Sequence, residues 1–299
     1  MTQMRAAADI ATHRMISAVS IDLPLFAGIA DFLDGGDLAR DLDALNYLVS
    51  RRDGGRALRL AAQTPELLSD GLHYEERIAR HGVIATREDN AHDWFNAFIW
   101  LRHTQIKRSM NARQVADIAR VGRKQRTRGQ CALTHFDEAG AIVWVASREL
   151  LAAWDAHDWR RLFGTHRAEW GTNIAITVVG HALYEYALVH ETMPVAKALA
   201  VAVDPGEIAE RCIGGASIPC WPEAEYSIAA DIAADRLLAD PQELRPLPLA
   251  GIPGWQADAN SDDFFETAPC FRPLRAGRRY PAPVVLANLA KLQAEHAIA

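Results

Sequence analysis

Apolar residues crowd the segment that follows Asn90. In "NAHDWFNAFIWLRH", residues 90–103, every position from Trp94 to Leu101 is apolar except Asn96. A run of this kind at helical length predicts a helix buried on most of its sides. Asn90 followed three residues later by Asp93 suits its start, because Asn caps free backbone N–H groups and a nearby carboxylate can reach back to them. Positions 92, 96, 99 and 103 fall on one stripe and carry His, Asn, Ile and His. A buried polar group without a partner costs about 1–3 kcal/mol, so this stripe must meet polar company or line a cleft.

The same patterning organises the rest of the chain. "DLARDLDALNYLVSRRDGG" reads as an amphipathic helix stopped by Gly54 and Gly55, and "SMNARQVADIARVG" as another. A basic loop, "RKQRTRGQ", leads into "CALTHFDEAGAIVWVAS", two β-rich runs around Asp137–Gly140 that predict a hairpin with glycine at its turn. Downstream, "RELLAAWDAHDWRRLFGTHRAEW" is helical, "NIAITVVG" a strand, "HALYEYALVHE" a helix that starts directly after Gly180, and "AKALAVAVD" a further strand. From Asp240 onward Pro and Gly dominate, predicting an extended arm before a short final helix. The expected fold class is α+β, with a mostly helical N-terminal half, a central hairpin and short sheet with helices, and a Pro-rich C-terminal arm. The expected organisation is one domain over 1–240 with the arm, 241–299, packed on it.

Composition narrows the function classes. The 299 residues are 49% hydrophobic and 23% charged, enough for a full core, and the net charge of −6 gives no general affinity for nucleic acid or anionic membrane. No stretch reaches the roughly 18 uncharged apolar residues of a membrane span. Arg5, Asp9, His13 and Arg14 interrupt the N-terminus, so no secretory signal is expected and the cytoplasm is the default compartment. Cys131, Cys212, Cys220 and Cys270 form no C-x-x-C pair, which argues against a disulfide framework or zinc ribbon, and Cys131 reads as a small core residue. The segment 102–128 is locally basic, with Lys107, Arg108, Arg113, Arg120, Arg123, Lys124 and Arg126 against Asp117. Helical spacing spreads these round the helix without aromatic interleaving, so a solvated face stands ahead of a nucleic-acid contact.

In "ITVVGHALYEYAL", His181 and Glu185 are one turn apart at the head of a helix leaving a strand, a place where ligands collect in open sheets. His92-Asp93 is similar to the adjacent metal ligands of helical metal-dependent phosphohydrolases. Two letters carry little, and His157-Asp158 repeats them elsewhere. Ser109, Thr134 and Ser147 lack a nucleophile-elbow context, and no glycine loop has phosphate-cradling spacing.

Together, "HDWFNAFIWLRHTQIKRSMNARQ", "ALTHFDEAG" and "GHALYEYAL" resemble the landmarks of the bacterial domain-of-unknown-function family 3025. The resemblance implies no established activity. It singles out His92, Asp93, Asn96, Asn111, Arg113, Asp137, Glu138, His181 and Glu185; His135 stands where an apolar residue is expected and is not carried over. Gathered in one pocket, these groups suit a hydrolase. His181, Glu185, His92 and Asn96 would be catalytic, Asp93, Asp137 and Glu138 would hold a divalent metal, and Arg113 with Asn111 would bind a small anionic substrate. Metal-free acid/base chemistry with His181 oriented by Glu185 is equally open, and so is a non-catalytic interaction protein using the Pro-rich arm.

Overall fold

The computed structural model describes residues 23–33, 42–52, 58–189, 193–257 and 262–286. Helices dominate the first half: α1 (Leu42–Arg52), α2 (Tyr74–His81), α3 (Ala91–Arg102), α4 (Thr104–Val121) and α5 (Arg128–Ala139). Between them, β1 (Arg59–Ala62) and β2 (Val83–Thr86) pair in parallel, Arg59 opposite Val83. The second half builds the main sheet from β3 (Gly140–Val145), β4 (Ile174–Val178), β5 (Val195–Ala202), β6 (Arg245–Pro248) and β7 (Val284–Val285). Its order is β4-β3-β5-β6, with β7 also on β5; the β3–β5 and β5–β7 pairs are parallel, the other two antiparallel. Helices α6 (Arg148–Asp155), α7 (His181–Val189) and α8 (Pro222–Ala233) complete the elements used below. This is the mixed α+β class expected.

Every residue of β3 and β4 is buried, as for strands covered on both faces. The core is continuous with α3, where Trp94, Phe95 and Ala97 through Leu101 are all buried and Asn96 is half-buried. Asn90 caps α3 as expected, its Oδ1 accepting the Asp93 N–H at 3.1 Å. The Asp93 carboxylate does not complete that cap. It accepts the Arg87 backbone N–H at 2.8 Å and both arms of the Arg87 guanidinium, at 3.0 and 2.8 Å.

The predicted hairpin at Asp137–Gly140 is absent. "CALTHFDEA" is the body of α5, started by a capping box in which the Thr127 side chain accepts the Gln130 N–H and Gln130 answers the Thr127 N–H. Ala132, Leu133 and Phe136 form its buried stripe at helical spacing, and the strand begins only at Gly140. Asp137 and Glu138 therefore stand on the last turn of a helix. The expected final helix lies outside the described residues, as does the start of the chain. No helix among the described residues is long and apolar enough to cross a membrane.

Candidate functional site

Two glycines bring α5 and α7 together. Gly180, just before α7, packs so closely on the α5–β3 junction that a Cβ there would lie 2.2 Å from the Gly140 nitrogen. Val179 and Gly180 both donate backbone hydrogen bonds to the Gly140 carbonyl, at 3.0 and 2.8 Å. A side chain at 180 would prevent this approach. The approach sets His181, first residue of α7, beside Glu138, last-turn residue of α5.

The start of α3 closes the site from the other side. His92 Nδ1 lies 2.8 Å from Glu185 Oε2, and His92 Nε2 lies 2.9 Å from His181 Nε2, with the two rings edge to face. Glu138 Oε2 is 3.7 Å from His181 Nε2 and 4.0 Å from His92 Nε2. His181 is buried, while His92 and the two glutamates are partly open. Since Glu185 accepts the Nδ1 proton of His92, the lone pair of a neutral His92 ring is on Nε2, aimed at His181 and Glu138. The Asp137 backbone lies against the His181 ring, although His181 Nδ1 makes no hydrogen bond of full geometry among the described residues.

Electrostatics separate the two histidines. The Glu185 hydrogen bond raises the His92 pKa against the opposing effect of burial, with help from the charge of Glu138. Burial pushes His181 down to about 3. Desolvation in the cleft also raises Glu138. Of the two rings, His92 is the one whose surroundings favour the protonated form, and His181 is the one held neutral.

A cavity of about 300 Å³ opens from this cluster. His92, Asp93, Asn96, Asn111, Asp137, Glu138 and His181 all line it. Across from the histidines stands a network that joins the expected Asn96, Asn111 and Asp137 to Lys107, Tyr74 and Glu75, which the sequence did not mark as site residues. Lys107, buried on α4, donates to Asn96 Oδ1 at 2.9 Å and to Asp137 Oδ1, and lies over the Trp100 ring. Asn96 in turn donates to the Tyr74 hydroxyl at 2.8 Å, and Asn111 to Glu75 Oε2 and the Glu75 carbonyl. Burial is the largest influence on Asp137 and tends to raise it, but the charge and hydrogen bond of Lys107, together with the two histidines, hold the carboxyl below its usual range. Burial raises both Glu75 and Tyr74. A signal for this wall was present: Lys107, Asn111 and Gln114 are polar at i, i+4 and i+7 on an otherwise ordinary helix, and all three are buried.

Arg113 does not line the cavity. Its guanidinium bonds the Leu237 carbonyl at 2.6 Å, meets the Ile232 and Leu238 carbonyls at 3.4 Å, and pairs with Asp235, so it fastens α4 to the end of α8. His103, on the same predicted stripe as His92, closes the far end of α3 and pairs with Glu225. His135 is exposed. None of the four cysteines is in a disulfide among the described residues and all are half-buried, so Cys131 is not a full core residue.

Comparison with known families supplies a match over residues 58–275, to the family described as "Protein of unknown function (DUF3025)". The chain belongs to that family. The matched span contains every residue of the cluster and of the Lys107 wall. No curated protein and no solved structure matches the chain.

Proposed function

We propose that this DUF3025 protein is a hydrolytic enzyme whose cleft holds one divalent metal ion on His92 Nε2, His181 Nε2 and Glu138 Oε2. The observation that carries this reading is the convergence of those three atoms within 4.8 Å of one another. Two histidines and a carboxylate, with room left on the cavity side, are the donor set of an open catalytic site. Glu185 holds His92 in the tautomer that ligation requires, an arrangement common behind metal-bound histidines. An ion held by these three residues would supply a bound water of lowered pKa for attack on a carbonyl or phosphoryl centre.

The Lys107 wall supports the same reaction. Its ammonium, fixed by Asp137 and Asn96, faces the cavity in which negative charge would build on the substrate oxygen. Asp93 and Asp137 serve as positioning residues in this scheme, because Arg87 and Lys107 already occupy their carboxylates. The nucleic-acid alternative loses support from the same ion pairs. Within 102–128, Lys107 and Arg113 are buried, and Arg102, Arg120 and Arg123 are paired with Asp31, Asp117 and Glu76.

A second reading, metal-free acid/base catalysis, is favoured by one observation. The 2.9 Å separation of the two Nε2 atoms suits a single proton between them, supplied by His92 and accepted by His181. Metal analysis of protein purified without a His tag, paired with a broad hydrolase screen, separates the two. The metal reading expects roughly one zinc-type ion per cleft and joint loss of ion and activity in His181→Ala and Glu138→Gln. Hydrolysis that survives complete chelation would replace it with the acid/base reading. Absence of both ion and hydrolysis would remove both.

A further inference from the structure

A second set of ligand-type side chains converges outside the cleft. His103 stands at the corner between α3 and α4, Cys220 two residues ahead of α8, and Glu225 in the first turn of α8. His103 Nδ1 lies 2.8 Å from Glu225 Oε1, and those two side chains are only 1% and 5% exposed. Cys220 Sγ completes the group, with one ligand atom from each residue within 4.8 Å of the other two. We propose that His103, Cys220 and Glu225 form a second metal site, built for a borderline-soft divalent cation of the zinc type.

The donor chemistry selects the ion. Sulfur, nitrogen and oxygen together suit zinc, whereas magnesium and calcium take oxygen donors alone. Deprotonated Cys220 and Glu225 bring two negative charges to balance the cation, and His103 ligates as a neutral ring. Binding releases the Cys220 thiol proton to solvent, and the one proton of a neutral His103 ring stays on the nitrogen that does not ligate, so no other reactant is needed. A purely structural pair explains His103 and Glu225, which tie α8 to the α3–α4 corner. The Cys220 thiol also reaches the Arg102 carbonyl at 4.0 Å, a weak sulfur contact that ligation as the thiolate would give up.

The location gives the site a consequence. His103 and Glu225 are 122 residues apart in sequence, so an ion joining them clamps α8 onto the corner. That corner links the helix carrying His92 to the helix carrying Lys107. The ion would therefore brace two walls of the cleft from behind, without touching substrate.

Cobalt titration of the full-length chain tests this independently of the proposed function, because no cysteine is among the described residues that line the cleft. The expected result is a thiolate-to-cobalt charge-transfer band that persists in His181→Ala and disappears in Cys220→Ser. Zinc content should fall from roughly two ions to one in either variant. Peptide-resolved mass spectrometry should show zinc slowing alkylation of Cys220 at least tenfold, with His103→Gln losing that protection. Absence of the band, a band retained in Cys220→Ser, or equal alkylation with and without zinc overturns the proposal. Thermal unfolding of Cys220→Ser, a change of one atom at a half-buried position, checks that the fold is kept. If His181→Ala leaves the zinc content unchanged while Cys220→Ser lowers it, the cleft reading fails and this one stands.

Discussion

His92 Nε2 and His181 Nε2 face each other at 2.9 Å across the joint between α3 and α7. Two imidazole lone pairs cannot share that space, so in the metal-free chain an N–H of one ring points at the lone pair of the other, the place that a metal ion would take in the proposed site. Glu185 decides which atoms are available. By accepting from His92 Nδ1 at 2.8 Å, it directs the other nitrogen of the ring into the cluster.

Glu185→Gln should consequently weaken metal binding without removing a ligand. Loss of such an outer carboxylate typically costs 10–100-fold in affinity. Competition with a chromophoric chelator measures it, and an unchanged affinity would place Glu185 outside the ligation scheme. The same substitution should lower the His92 pKa, since the Glu185 hydrogen bond is the largest cause of its rise. NMR titration of the His92 ring in the metal-free chain reads that directly.

Glu75 predicts a pH dependence of stability. Burial raises its folded pKa above the unfolded value, so its contribution is fully present at low pH and is lost as pH rises through the folded pKa. A neutral isostere removes that loss, and Gln can still accept the Asn111 N–H that now reaches Glu75 Oε2. Glu75→Gln should be more stable than the parent at about pH 8, with the gain shrinking towards about pH 4.5. Urea unfolding at several pH values tests the sign. A gain that grows on acidification would contradict it.

Much of this site was legible because periodicity marks an element and spacing marks a face. The α3 run, the strand ending before Gly180 and the His181–Glu185 turn all follow from local pattern, and those two polar corners are the ones that meet. The hairpin was misread because Cys131 to Thr134 is short and apolar, and such a run fits a strand or a buried helical stripe equally well. His103 shared a stripe with His92 but stands about 16 Å further along the helix axis, too far for one site. Arg113 and Lys107 exchanged roles for a different reason. Their helix, α4, has α8 on one side and the cavity on another, and no local pattern says which partner, over 100 residues away, covers which face.

Gly180→Ala should damage the site although residue 180 carries no functional group. The added methyl would lie 2.2 Å from the Gly140 nitrogen and 2.5–2.6 Å from Ala139 backbone atoms, none of which can rotate away. Either α7 shifts outward, moving His181 from Glu138, or the junction strains. Overpacking of this kind typically costs about 1–3 kcal/mol, so the variant should fold but bind metal poorly. Calorimetry and metal content together check it; unchanged metal content would mean that the α5–α7 approach does not hold the ligands in register.

The Lys107–Asp137 pair allows a sharper separation of stability from chemistry. Lys107 is buried and its ammonium has Asp137 and Asn96 as acceptors, so Lys107→Met leaves the Asp137 carboxylate without its cation beside His181. Breaking a buried pair on one side typically costs about 3–5 kcal/mol, whereas replacing both members with apolar residues of similar size is often near neutral. Lys107→Met should therefore be strongly destabilised in urea, and Lys107→Met with Asp137→Leu should recover most of the loss. Catalysis should not recover with it, because the restored fold lacks the cation that faces the cavity. A double variant that regains both stability and turnover would show that the pair only holds α4 to α5. A single variant within about 1 kcal/mol of the parent would show that solvent already screens it.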